Sequence, residues 1–233
     1  MKENQILRFG GVCAILIGLF NEVSGIIYIL LPATQKLGSK GADLLPSVAQ
    51  NSTMLIALHI GFTLIGIFGL GLVPAIFNMA RTAENEGWLR WISNLASLGY
   101  AVLAVTGLLV IDRLPRIAQA FVKGDPSTQA ALLPVWRTTL DPFGFWSYGV
   151  IGLWILLIGV AGINMAKTGS LRSLSMLGVL VGILHLIIPF ASVFKMPFLF
   201  QIVAGLGLIL TTIWYIWTGM VLRGGSSATP TGS

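Results

Sequence analysis

Six apolar stretches recur along the chain, separated by segments rich in charge, proline or glycine. About 20 apolar residues cross a bilayer as a helix. The pattern predicts such helices at about 9–31, 52–80, 88–111, 143–166, 171–194 and 197–222. Local signals set the edges. Pro32 ends the first span, and Asn51 or Ser52 offers a cap for the second. Asp141-Pro142 opens the fourth as an N-cap followed by proline at the first helical position. Ser170 caps the fifth after the helix-ending Gly169. Two connections are long, 31–51 and 112–141. In the second, Asp125-Pro126 repeats the cap-plus-proline signal, and 129–140 predicts a short interfacial helix carrying Trp136 and Arg137. Residues 224–233 are Gly, Ser, Thr, Ala, Pro and are expected to form a disordered tail. The expected fold is all-α, a bundle of six transmembrane helices in a single domain over 1–223.

Composition identifies the solvent. The chain is 55% hydrophobic and 9% charged, with mean hydropathy +0.88, whereas a soluble domain carries about 25% charged residues. Too few charges exist to cover a water-exposed surface, so a lipid bilayer is the expected surroundings. The 28 glycines suit helices that approach through small residues. A net charge of +6 invites a nucleic-acid reading in a soluble protein. Here Lys and Arg in loops beside anionic headgroups account for it, and no nucleic-acid partner is expected. Cys13 is alone and forms no internal disulfide. The N-terminus begins like a signal peptide, but its apolar run continues through 26–31 without a small-residue cleavage site, which predicts a retained first helix.

Orientation rests on basic residues. Lys2, Arg8, Arg81, Arg90, Lys167, Arg172 and Arg223 fall on one side, and Lys36, Lys40, Arg113, Arg116, Lys123, Arg137 and Lys195 on the other. The totals are equal, but the first set occupies shorter segments closer to helix ends, which positive-inside counting weights. Both termini are therefore expected in the cytoplasm of a bacterial inner membrane, with the long connections outside.

The spans contain one carboxyl group and two imidazoles, Glu22, His59 and His185. Helical spacings of three, four and seven put each on a small-residue stripe. Gly11, Ala14, Gly18, Glu22 and Gly25 form one, and Ser52, His59, Thr63 and Gly66 a second. Ser175, Gly178, Gly182, His185 and Pro189 form a third, and Gln201, Gly205, Leu208 and Thr212 a fourth. Such stripes face other helices. Counted from the span ends at 1.5 Å per residue, the three groups also fall at depths within about 5 Å of one another. Gln201, Tyr148 and Asp112 lie nearer the same edge. The expectation is a polar pocket in the outer half of the membrane, lined by Glu22, His59, His185, Gln201 and Asp112 and roofed by the long connections.

Several chemistries fit such a pocket. One carboxylate with two imidazoles is a ligand set for a divalent metal. Two histidines can hold a haem axially. A carboxylate and histidines can relay protons or bind a transported small ligand. The same groups can equally be a satisfied hydrogen-bond cluster that fixes packing in a structural or assembly subunit, alone as a homo-oligomer or with a membrane-protein partner. Whether the chain is an enzyme stays open.

The remaining signals are structural. Asp112-Arg113 reads as a headgroup-level ion pair. Trp88, Trp91, Trp136, Trp146, Trp214 and Trp217 read as an interfacial aromatic belt, with Trp154 deeper and packed. No phosphate-binding glycine loop, nucleophile elbow or cysteine-pair metal motif is present. Inverted halves of three spans would place His59 and His185 at mirrored depths, against the shared depth inferred above.

The opening Arg8-Phe9-Gly10-Gly11-Val12-Cys13-Ala14-Ile15 and the later Leu171-Arg172-Ser173-Leu174-Ser175-Met176-Leu177-Gly178 resemble the DUF4386 family of small six-span bacterial membrane proteins. The last span with Gly219 and Arg223 is similar to that family's closing helix. The chain lacks the proline expected before the basic residue of the turn at Arg172. The resemblance implies a six-span fold and no activity, so no functional residue is carried over from it.

Overall fold

The computed structural model describes residues 3–36, 39–136, 141, 144–165 and 169–224. Among them there are helices and no strand. In chain order the helices are α1 (Glu3–Leu30), α2 (Gly41–Gln50), α3 (Thr53–Ala80), α4 (Glu86–Lys123), α5 (Pro126–Val135), α6 (Ile151–Met165), α7 (Ser170–Val193) and α8 (Pro197–Gly224). A 3-10 turn, Ala33–Gln35, precedes α2, and a π-helical turn, Phe145–Val150, leads into α6. Six helices are long and apolar enough to cross a membrane: α1, α3, α4, α7, α8, and α6 with its π turn. The protein is an all-α, multi-pass membrane protein.

These six close into a circuit. α1 packs between α3 and α8, α4 joins α3 to α6, and α7 joins α6 to α8. One core is shared by all six, with Ile17, Leu72, Ile92, Trp154, Val181 and Tyr215 each supplied by a different helix. Outward-facing positions such as Val23, Ile67, Leu108, Leu180 and Ile209 are exposed, as a hydrocarbon solvent permits.

The small-residue stripes do the packing. A side-chain carbon at Gly11 or Gly219 would lie 2.9 or 2.6 Å from the facing carbonyl oxygen of Gly219 or Gly11, so α1 and α8 meet backbone to backbone. Gly66 faces the Tyr100 carbonyl and Ala104 amide of α4, and Gly182 faces Gly152 and Leu156 of α6. Without a strong hydrophobic drive between helices in lipid, such close approach supplies the dispersion energy that holds a bundle.

The connections differ from expectation. The third span was expected to end near Ile111, where charge appears. Instead α4 continues through Pro115 to Lys123; its 38 residues measure about 57 Å, far beyond a bilayer core of about 30 Å. Its outer turns bury Leu114, Ala118 and Phe121 against Leu44, Leu45 and Val48 of α2. The segment 31–51, expected as a loop, contains α2. Gln35 binds it through Nε2 to Ser47 and the Asn51 carbonyl at 2.8 Å, and Gln119 of α4 donates to the Ala49 carbonyl at 2.8 Å. A second small core therefore sits over the end of the bundle where α1 ends and α3 begins.

Asp125 caps α5 as its sequence predicts, accepting from the Thr128 amide at 2.8 Å with Pro126 at the first helical position. These bonds to the charged form hold its carboxyl below the usual range. The helix begins at Pro126 and not near 129; Arg137 and the residues to 140 lie outside the described residues. Asp141 also caps, but at a distance. Its carboxylate accepts from the amides of Trp146 and Ser147 and from the Ser147 hydroxyl, and Gly144 takes a positive φ of 79° between them. The expected Pro142 start and Lys167 lie outside the described residues.

Candidate functional site

Glu22 is half-buried in the α1–α8 seam. Its carboxylate accepts one hydrogen bond, from the Thr212 hydroxyl at 3.3 Å. The Asn21 amide donates to the same hydroxyl oxygen at 3.0 Å and to the Leu208 carbonyl at 3.2 Å. An amide, a hydroxyl and a carboxylate thus form a short chain between two helices. Among the described residues no Lys, Arg or His pairs with Glu22.

His59 lies elsewhere. Its Nδ1 meets the Leu55 carbonyl at 2.8 Å, and its ring stands edge-on to Phe62, centroids 5.8 Å apart. The stripe it belongs to faces α4, where Thr63 packs against Gly107. His185 is 8% exposed, with Nδ1 3.0 Å from the Val181 carbonyl and its ring 6.0 Å from that of Tyr148. Its β-carbon lies over Gly152 of α6. A carbonyl oxygen only accepts, so in each ring the Nδ1–H is the donor.

The expected triad is therefore not assembled. Among the described residues no three His, Cys, Asp or Glu side chains are grouped to hold a metal, which corrects the Glu22, His59, His185 metal set. The reason is topological. Each stripe meets a different neighbour: Glu22's faces α8, His59's faces α4 and His185's faces α6. The two histidines occupy separate seams, so their arrangement lends nothing to a shared haem. Gln201 is exposed on α8. Asp112 is exposed too, and its carboxylate pairs at 2.5 Å with Arg116 one turn on and not with Arg113.

No protein-family model, no curated protein and no solved structure matches the chain. What it does must be argued from the molecule itself.

The most constrained polar contact is one the sequence did not announce. Tyr100 of α4 and Tyr215 of α8 are both at the centre, 0% and 3% exposed, with hydroxyls 2.6 Å apart. Trp154 stands edge-on to Tyr100 and to Trp214, at 6.1 and 6.5 Å. Trp214, expected in the interfacial belt, is 3% exposed and belongs to this cluster; Trp88, Trp91 and Trp146 are exposed as expected. A signal existed: the large rings lie opposite glycines, Tyr100 over Gly69 and Trp214 over Gly178. Sequence alone does not say which glycine meets which ring.

The tyrosine pair makes a signed prediction. Tyr100→Phe or Tyr215→Phe leaves one buried hydroxyl without its partner and should destabilise the protein by about 1–3 kcal/mol. The double Phe variant removes both hydroxyls and should cost less than the sum of the singles. Equilibrium unfolding in mixed micelles measures the cycle, and additive losses would mean that the hydroxyls do not depend on each other.

Proposed function

We propose that the protein binds or moves a small ligand within the membrane, with Glu22 as the group that exchanges a proton or a cation. One observation carries this: a carboxylate within a membrane-spanning helix whose hydrogen-bond partner among the described residues is one neutral hydroxyl at 3.3 Å. A carboxylate at that depth is costly, and such residues mark proton, ion and substrate paths. Thr212 and Asn21 extend the polar chain across the seam and would orient whatever replaces the missing counter-charge. The placement of both termini in the cytoplasm of a bacterial inner membrane, and the kinship with the DUF4386 family, belong to the same proposal.

Flux into vesicles tests it. Vesicles carrying the protein and a trapped pH indicator should acidify under an imposed gradient. Glu22→Gln should slow that flux by about a hundredfold, the low end for loss of a proton-transferring group. Equal flux in the wild type and Glu22→Gln, or none above empty vesicles, would overturn the proposal.

A second reading, an assembly subunit, is favoured by a different feature. Gln201 and Gly205 lie one turn apart and exposed on α8, and nothing lies within 4 Å of a carbon placed at Gly205. Small residues beside an amide are what a further transmembrane helix packs against. A Gly205→Cys variant should cross-link to a partner or a second copy in native membranes under this reading, and stay uncross-linked if the face meets only lipid.

A further inference from the structure

At the end of the bundle where α1 begins and α8 ends, a cleft of about 60 Å³ opens between α3, α6, α7 and α8. Its lining includes Met79, Ile158, Gly162, Met165, Trp214 and Thr218. Met79 and Met165 are exposed at its lip, so it opens on the outside of the bundle. The walls are almost wholly apolar apart from two hydroxyls, that of Ser175, which donates to the Leu171 carbonyl at 2.8 Å, and that of Thr218. Thr218 is 2% exposed, and among the described residues its hydroxyl has no hydrogen-bond partner. A buried hydroxyl without a partner is costly, and this one lies in the wall of an open cleft.

The surroundings say what kind of molecule fits. Arg81 follows the lining residue Ala80, and Arg172 follows the lining residue Leu171. Both arginines are exposed. At this end of the bundle Arg8, Arg81, Arg90, Arg172 and Arg223 outnumber Glu84 and Glu86 among the described side chains. Thr218 lies five residues before Arg223 on α8, about 7.5 Å deeper along the axis, which is where glycerol ester carbonyls sit beneath a lipid phosphate. We infer that this cleft is a binding site for an anionic phospholipid: an acyl chain lies along the methionine-lined walls, an ester carbonyl accepts from Thr218, and the phosphate sits among Arg81 and Arg172. Arginine forks suit phosphate oxygens, and basic clusters at a membrane face recognise anionic lipid. Methionine side chains adapt to a mobile chain. The site is separate from Glu22 and stands or falls without it.

The test is thermal unfolding of the purified full-length protein in detergent, titrated with phosphatidylglycerol or with phosphatidylcholine bearing the same acyl chains. Phosphatidylglycerol should raise the melting temperature saturably, and phosphatidylcholine should not. Thr218→Val should weaken half-saturation about fivefold, the equivalent of one hydrogen bond. The Arg81→Gln/Arg172→Gln double variant should abolish the difference between the two lipids. Met165→Trp places bulk at the lip without altering the core, and should block the effect even if Thr218→Val fails to fold. Equal stabilisation by both lipids, or an unaltered phosphatidylglycerol response in Met165→Trp, would overturn the assignment.

Discussion

Gly66→Val is expected to unfold the bundle or weaken it by about 3 kcal/mol or more, the upper range for overpacking. A carbon at Gly66 would lie 2.6 Å from the Ala104 amide nitrogen, 2.6 Å from the Tyr100 carbonyl oxygen and 2.8 Å from the Ala104 β-carbon. Two of those three are backbone, so α3 and α4 must separate along their whole seam. Separation also strips Tyr100 from its seat over Gly69. A paired experiment distinguishes this backbone clash from a side-chain clash. At Gly10 the near obstacle is the Ala75 β-carbon at 2.0 Å, with backbone no closer than 3.5 Å. Gly10→Ala should therefore be rescued by Ala75→Gly, whereas Gly66→Ala should not be rescued by Ala104→Gly. Gly205→Ala, with open space around it, should be neutral or stabilising by about 0.5–1 kcal/mol. Unfolding midpoints in mixed micelles rank the set, and rescue of Gly66→Ala by Ala104→Gly would refute the backbone argument.

The same seams show how far the sequence was legible. Hydropathy found all six spans, because lipid leaves apolar side chains no reason to alternate with polar ones. Helical spacing found the faces as well: Gly11, Gly18 and Gly25 do line up, against Gly219, Ile216 and Leu208 of α8. What spacing lacks is the identity of the partner. Glu22, His59 and His185 each lie on a packing face, but a circuit of six helices has several seams, and one face fits any of them equally well on paper. Shared depth was then mistaken for shared location. The end of α4 failed for another reason. Charges at Asp112, Arg113 and Arg116 mark the end of the apolar run and not of the helix. A helix continues into water where an apolar stripe still has something to cover, and Leu114, Ala118 and Phe121, at spacings of four and three, were that stripe. Trp214 was read as interfacial with the other tryptophans near span ends, but the glycine opposite it at 178 makes room for the indole inside.

Trp154 concentrates these arguments in one side chain. It is fully buried among Tyr100, Trp214 and the apolar core, and Trp154→Ala should cost about 3 kcal/mol, the low end for this substitution in a core. The low end applies because the chain's alternative surroundings are lipid, nearly as apolar as the core, so the loss is of dispersion contacts and edge-to-face ring pairs more than of transfer from water. Trp154→Phe should be far milder. It keeps an aromatic face toward Tyr100 and Trp214, and it removes an indole N–H that has no hydrogen-bond partner among the described residues, whose burial is itself unfavourable. The two terms oppose each other, and the net loss should be near 1 kcal/mol, within the range for a shape change that keeps most of the packing. Mixed-micelle unfolding of the three proteins gives the ordering directly. If Trp154→Phe is as damaging as Trp154→Ala, the N–H must be satisfied in the native state, and the centre of the bundle holds a water bound there and not a dry aromatic core.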